Sequence, residues 1–199
     1  MSLKSRIQKF FRSFKGRHAQ ANERTKSVMR SYITENSIFI ALGSNVGDSR
    51  EIISRAIGRL QKLSNAPLRK SSLWKSTPVD CPPGSPDFVN AVVGLLVGPE
   101  ETPETLLQKL QALERDFGRA PKKVLNEPRP LDLDLIAFRA EIRNSPRLTL
   151  PHPRAHLRKF VLQPLAEIAP DLILPGQSQT VSELLKQLAS DEVLSRIEP

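Results

Sequence analysis

The segment PRPLDLDLIAF, residues 128–138, narrows the choice of fold more than any other stretch of the chain. Its second half alternates as a strand does. Asp132, Asp134, Ile136 and Phe138 point one way, and Leu131, Leu133, Leu135 and Ala137 the other. A strand this apolar heads for a sheet interior, where two carboxylates on one side are hard to accommodate. They stand about 7 Å apart, repel each other and lose hydration on burial. A divalent metal is the simplest remedy, because hard cations take carboxylate oxygens as ligands.

The elements around this strand follow from their periodicity. SIFIALG, residues 37–43, is a short apolar run that reads as a buried strand. Ile52, Ile53, Ala56, Ile57, Leu60 and Leu63 then recur at helical spacing, with Asp48 or Ser49 placed as the cap. LRKSSLWKST and FVNAVVGLLVG read as two strands around the Pro-rich loop PVDCPPGSPD. Thr102-Pro103 opens a second helix with a buried stripe of Leu106, Leu107, Leu110, Leu113 and Phe117, and Gly118 ends it. With the strand at 131–138 the order is βαββαβ, an α+β fold of the ferredoxin-like type with helices on one face of an antiparallel sheet. HLRKFVLQPLAEIA and SQTVSELLKQLAS add two C-terminal helical stretches. The fold alone leaves function open, since it hosts RNA binders, regulators and transferases.

Charge is distributed unevenly. Of the formal +9, residues 1–28 carry eight basic side chains less one acid, or +7. The remainder is close to neutral, so the basicity belongs to a tail and not to a nucleic-acid-binding body. Within the tail, Ile7, Phe10, Phe11 and Phe14 share one helical face, a pattern that suits a membrane surface or a targeting segment. It is equally that of a dispensable or untranslated leader, because Met29 precedes the globular pattern. We therefore divide the chain into a basic extension, 1–36, and one domain, 37–199, without membrane contact. A lone cysteine, Cys81, excludes an internal disulfide and reads as a spectator on its loop.

Three groups of residues suit chemistry. Asp132 and Asp134 could hold one or two metal ions against a polyphosphate, with Arg129 ahead of them and Arg119, Lys122 and Lys123 after the second helix. LPHPRAHLRKF gathers His152, Arg154, His156, Arg158 and Lys159 beside Phe160, and guanidinium forks match phosphate oxygens. Asn90, an amide in the apolar run FVNAVV, could read the edge of a planar heterocycle or tie down the preceding loop. Phe88 and Phe160 could stack on such a ring or serve the core. GSNVGD lacks the lysine of a P-loop.

Together these stretches resemble the 6-hydroxymethyl-7,8-dihydropterin pyrophosphokinases of the folate pathway. IALGSNVGD, TPVDCPPGSPDFVNAVV, LERDFGR, PRPLDLDLIAF and LPHPRAHLRKFVLQPLAEIAPDLILP occur in the family's order. The resemblance implies transfer of the β,γ-diphosphate of ATP to the pterin hydroxymethyl oxygen, with AMP released. It implies two magnesium ions on Asp132 and Asp134, and phosphate contacts from Arg119, Arg129, His152 and Arg158. Gln111, Glu114, Arg147 and Thr149 fall at family positions around the nucleotide. Asn90, Phe88 and Phe160 fall around the pterin, with Asp132 at its reacting end and Gly43, Ser44, Thr77 and Val79 framing the pocket. A stand-alone, monomeric enzyme of the cytosol is expected. The chain departs from the family pattern at Asn126-Glu127, where a Trp-Gly is common, at Pro121, where an arginine is usual, and at Pro153, often a tyrosine. These changes bear on rate and ATP affinity. Rival readings are a nucleotidyl transferase, an RNA-binding module and a relic that binds pterin without turnover.

Overall fold

The computed structural model describes residues 36–120 and 126–198. The amphipathic tail and Lys122 and Lys123 lie outside the described residues. In chain order the elements are β1 (Ile38–Ser44), α1 (Ser49–Gln61), β2 (Arg69–Lys70), β3 (Trp74–Ser76), β4 (Phe88–Leu95) and α2 (Pro103–Asp116). There follow β5 (Asp132–Phe138), β6 (Arg143–Asn144), β7 (Thr149–Leu150), α3 (Lys159–Ile168), α4 (Val181–Gln187) and β8 (Leu194–Arg196). The sheet runs β5-β1-β4-β3-β8, with β2 also on β4, and its pairings are antiparallel. This is the expected ferredoxin-like order, extended by β8 at one edge.

Local chemistry sets the boundaries. The Asp48 carboxylate caps α1 by accepting from the Glu51 N–H at 3.1 Å. Thr102 and Thr105 cap α2 reciprocally, with Pro103 in its first turn. Gly118, at φ 88°, turns the chain out of α2 in a conformation that side chains other than glycine's resist. The single strand expected over 68–77 is broken at Ser71. Its N–H donates to the Val92 carbonyl at 3.0 Å and its own Oγ accepts from the Val92 N–H at 2.9 Å. The hydroxyl replaces a ladder carbonyl, and the chain kinks between β2 and β3. The helix expected from His156 begins at Lys159, after a 3-10 turn over Ala155–Leu157 and an extended Arg158.

Helices cover both faces of the sheet, not one. Ile40, Leu42, Val93 and Leu133 pack against Ile53, Leu60, Leu106 and Leu110 of α1 and α2. On the opposite face Phe39, Val92 and Ile136 meet Val161, Leu162 and Leu165 of α3. Two-sided burial explains why β1 is a continuous apolar run.

The strand at 132–138 departs from its expected place in two ways. It forms an edge of the sheet rather than lying in the interior, and its outer side is covered by the chain at 149–152. The strict alternation also fails. Ile40 faces Leu135 and Phe39 faces Ala137, so Ile136 is an extra residue, a bulge. Ile136 and Ala137 therefore both serve the α3 face, and Phe138 joins the Leu133 side instead of the aspartate side. The freed Ile136 carbonyl accepts the His152 N–H at 2.8 Å. The bulge thereby brings a histidine to the face that carries Asp134.

Candidate active site

Three neighbouring strands build a cleft at the end of the sheet where α3 begins. Gly43 on β1 lies opposite Asn90 on β4 and opposite Asp132 on β5. A Cβ at residue 43 would stand 3.4 Å from Asn90 Oδ1, 3.8 Å from Phe88 and 4.0 Å from the Asp132 Cβ. Glycine keeps the floor of the cleft low between the amide and the carboxylate. Thr77, Val79, Asp80, Cys81, Arg129, Arg158 and Phe160 also line the cleft. The open space is about 620 Å³, solvent at the mouth included.

Asp132 is the most heavily neutralised group. Arg119 reaches Oδ1 at 2.6 Å and Arg129 reaches Oδ2 at 2.6 Å. Burial alone would raise its pKa, but the charges of Arg129 and Arg119 prevail and hold it below the usual carboxylate range. Asp134 has no such clamp. Arg158 is 3.6 Å and His152 Nε2 3.9 Å from its Oδ2. Burial and the charge of Asp132 together raise its pKa.

The groups around this pair are themselves held. Glu114 accepts the Leu133 N–H at 2.7 Å, between the two aspartates, and also pairs with Arg119. His152 Nδ1 accepts from the Arg154 N–H at 3.2 Å, so a neutral ring carries its proton on Nε2, towards Asp134. Burial, with Arg158 and Arg154, lowers the His152 pKa and favours that neutral form. Asn45 joins the two loops: its Oδ1 accepts the Arg129 N–H at 2.8 Å, and its Nδ2 donates to the Pro86 carbonyl at 3.3 Å. The Arg129 guanidinium lies 5.5 Å from the Phe88 ring centre and that of Arg158 5.3 Å from Phe160, within cation–π range.

The family model for 7,8-dihydro-6-hydroxymethylpterin-pyrophosphokinase matches residues 39–170. The chain belongs to this pyrophosphokinase family. It is 42% identical over 157 residues to the 2-amino-4-hydroxy-6-hydroxymethyldihydropteridine pyrophosphokinase of Haemophilus influenzae, covering 78% of this chain and 95% of that protein. To the enzyme of the same name from Pseudomonas aeruginosa it is 40% identical, over 69% of this chain and 83% of that one. Among solved structures, a crystal structure titled as HPPK-DHPS in complex with substrates aligns with TM-score 0.59 at 11% identity over 76% of this chain. The wild-type HPPK-DHPS of Plasmodium falciparum aligns with TM-score 0.58 at 12% identity. These two agree in fold, and the present chain spans less than half of their length, 43% and 44%.

The pyrophosphokinase fold brings most of the expected residues together. Gly43, Thr77, Val79, Phe88, Asn90, Arg129, Asp132, Asp134, Arg158 and Phe160 line the cleft, and Arg119 and His152 reach its aspartates. Ser44 lies beneath, its hydroxyl donating to Ser49 Oγ at 3.0 Å. Gln111, Arg147 and Thr149 are exposed on α2 and the β6–β7 hairpin, outside the lining. Cys81, expected as a spectator, lines the cleft, with its thiol pKa pushed up by burial. Ser76, Asp80 and Asn126 line it too, though not expected there, and Asn45, equally unexpected, braces it from outside the lining. Asn126 donates from Nδ2 to the Asp80 carbonyl at 2.7 Å and so links the two loops at the cleft mouth. Its one signal was the departure at Asn126-Glu127 from the Trp-Gly common in the family.

Proposed function

We propose that the chain transfers the β,γ-diphosphate of ATP to the hydroxymethyl oxygen of 6-hydroxymethyl-7,8-dihydropterin, releasing AMP, as a step in folate biosynthesis. One observation carries the reading. A buried amide and a carboxylate pair sit at opposite ends of one cleft, separated by the single strand β1. That span is two strand spacings, roughly 10 Å, and suits a bicyclic ring that offers an edge to Asn90 and a hydroxymethyl group to the aspartates. Asn90 is 4% exposed and its Nδ2 is held by Ser76 Oγ at 2.9 Å, which fixes the amide's orientation. A ring in this slot would stack on Phe88 and Phe160, with Thr77 and Val79 framing its edge.

The donor set fits magnesium. Asp134 is a partly exposed carboxylate, its side chain 34% accessible, with no cation closer than 3.6 Å among the described residues. Magnesium characteristically takes one or two carboxylates and completes its shell with water and phosphate oxygens. When bound by Asp132 and Asp134, two such ions would neutralise charge on the triphosphate and near the attacking oxygen. The protein's own share is positioning. Arg119, Arg129 and Arg158 present guanidinium groups to the phosphates, and neutral His152 presents its Nε2–H. Arg129 Nε is buried without a hydrogen-bond partner among the described residues, a donor left for a ligand. The hydroxymethyl oxygen attacks the β-phosphorus and gives up its proton. The bond from that phosphorus to the α,β-bridging oxygen breaks, and AMP leaves with the electron pair.

Gln111, Glu114, Arg147 and Thr149 are assigned to the nucleotide's surroundings by the same reading, with Glu114 acting from beneath through Arg119. No helix among the described residues is long and apolar enough to cross a membrane; a monomer in the cytosol completes the proposal. The test is AMP formation from ATP and magnesium, with and without the pterin, in the full chain and in Asp132→Ala and Asp134→Ala. Pterin-dependent AMP that both substitutions abolish is expected. A folded chain that binds pterin and yields no AMP would leave the relic reading in its place.

A further inference from the structure

The chain beyond α4 returns to the cleft, downstream of the residues that the family model matches. β8 adds to the outer side of β3, with Trp74 opposite Arg196, Lys75 opposite Ser195 and Ser76 opposite Leu194. Just before β8, Val193 and Thr77 exchange two hydrogen bonds. The Thr77 N–H donates to the Val193 carbonyl at 3.2 Å, and the Val193 N–H donates to Thr77 Oγ1 at 3.3 Å. Glu192 faces the other way. Its Oε2 accepts the Phe160 N–H at 3.3 Å, and its carbonyl accepts from Lys159 Nζ at 3.3 Å. Two consecutive residues thus hold Thr77 and Phe160, both of which line the cleft.

Glu192 does for α3 what that helix lacks. The residue before its first turn is Arg158, which makes no side-chain cap, and the first N–H groups of a helix need acceptors. A carboxylate at this end also suits the helix dipole. The placement is costly all the same. Glu192 is 7% exposed, its Oε1 is buried without a hydrogen-bond partner among the described residues, and burial raises its pKa. Closing the sheet edge does not require it, since β8 and Val193 already do so.

We propose that Glu192 is a positioning residue which, with Val193, fixes the separation of Thr77 and Phe160 and so the width of the pterin slot. This rests on the pterin reading of the cleft. At the phosphate end, Asp132, Asp134, Arg119 and Arg129 make no hydrogen bond or ion pair with this segment among the described residues. Arg158, which feels the Glu192 charge, is the one group of that end near it, so the ATP KM should depend on Glu192 far less than the pterin KM.

The experiment measures kcat and both KM values for AMP release in the wild-type chain, Glu192→Ala, Glu192→Gln and Val193→Pro, with folding checked by thermal melting. A wild-type chain without pterin-dependent release would defeat the reading of the cleft itself, before any variant is compared. In an active wild type, Glu192→Ala should raise the pterin KM about tenfold, the worth of one well-placed hydrogen bond. The ATP KM and kcat should stay within about twofold. Glu192→Gln keeps an oxygen for the Phe160 N–H and should return the pterin KM to within about twofold of wild type. If Glu192→Ala does not fold, Val193→Pro, which removes the donor to Thr77 Oγ1, carries the same expectation. An unchanged pterin KM, or equal rises in both KM values, overturns the proposal.

Discussion

Asp132 and Asp134 are the same residue type, two positions apart on one strand, and the protein treats them in opposite ways. The Asp132 side of the cleft is closed by charge: two guanidinium groups at 2.6 Å leave its carboxylate 18% accessible. The Asp134 side is open, with charged partners among the described residues no nearer than 3.6 Å. Burial raises both pKa values, but Arg129 and Arg119 reverse the effect at Asp132, whereas the neighbouring carboxylate adds to it at Asp134. The proposed site for a metal–polyphosphate complex would profit from this division. One carboxylate is kept in place by the protein, and the other is left short of positive charge until a ligand supplies it.

Activity is where the two should agree, and the effect there is largest. Asp132→Asn and Asp134→Asn should each lower kcat/KM for pterin-dependent AMP release by at least about a thousandfold, because charge neutralisation is the main task in phosphoryl transfer. A variant that keeps even a tenth of the wild-type rate would show that its carboxylate is not part of the metal site.

Stability should separate them. Asp132→Asn leaves Arg119 and Arg129 buried without their counter-charge and should cost about 3 kcal/mol, seen as a melting temperature lower by roughly 6–12 °C. Asp134→Asn removes a repelled carboxylate in a partly exposed position and should stabilise the ligand-free protein by about 1 kcal/mol. Stabilisation with loss of activity is the expected mark of a residue kept for function. Two melting shifts of the same sign would break the comparison.

The pH dependence sharpens it further. Asp132 has a lowered folded-state pKa, so its contribution is present above the ordinary carboxylate pKa of about 3.9 and is lost as pH falls through the folded value. Asp134 has a raised one, so its contribution is present below that range and is lost as pH rises through the folded value. The advantage of Asp134→Asn over wild type should therefore grow as pH rises above about 4 and level off once pH passes the folded value. The deficit of Asp132→Asn should shrink below about pH 4. Melting curves across that range, without metal, decide both.

How much of this was legible beforehand depends on the range of the interaction. The strand order, the two capped helices and the aspartate pair follow from periodicity and turn chemistry, which are local. Asn90 was legible for a related reason, since an amide in an apolar run needs a partner wherever the run goes. The bulge at Ile136 was not, because it depends on how β5 sits against Phe39 and Ile40, nearly a hundred residues earlier. Nor was the division between the aspartates, which is set by Arg119 returning from α2 and by Glu114 bracing it. Ser71 hid a break in an apparently continuous strand because a hydroxyl can take a carbonyl's place. β8 and Glu192 carry too short a pattern to announce that they belong to the sheet and the cleft.

His152 provides the smallest test of the contrast. It reaches Asp134 because the bulge carbonyl holds its backbone N–H, not because the imidazole is bound to the carboxylate, from which its Nε2 stands 3.9 Å away. A contact that long contributes little to folding, so His152→Gln should change stability by under about 0.5 kcal/mol. The backbone donor survives the substitution and the bulge should remain. What is lost is an Nε2–H directed at the open side of the cleft, where a phosphate oxygen would lie. The ATP KM should then rise by roughly three- to tenfold, as for one hydrogen bond to a charged group, while the pterin KM changes by less than about twofold. A large melting shift would instead mean that the imidazole and Asp134 are already paired without ligand, and that the open side is less open than its geometry shows.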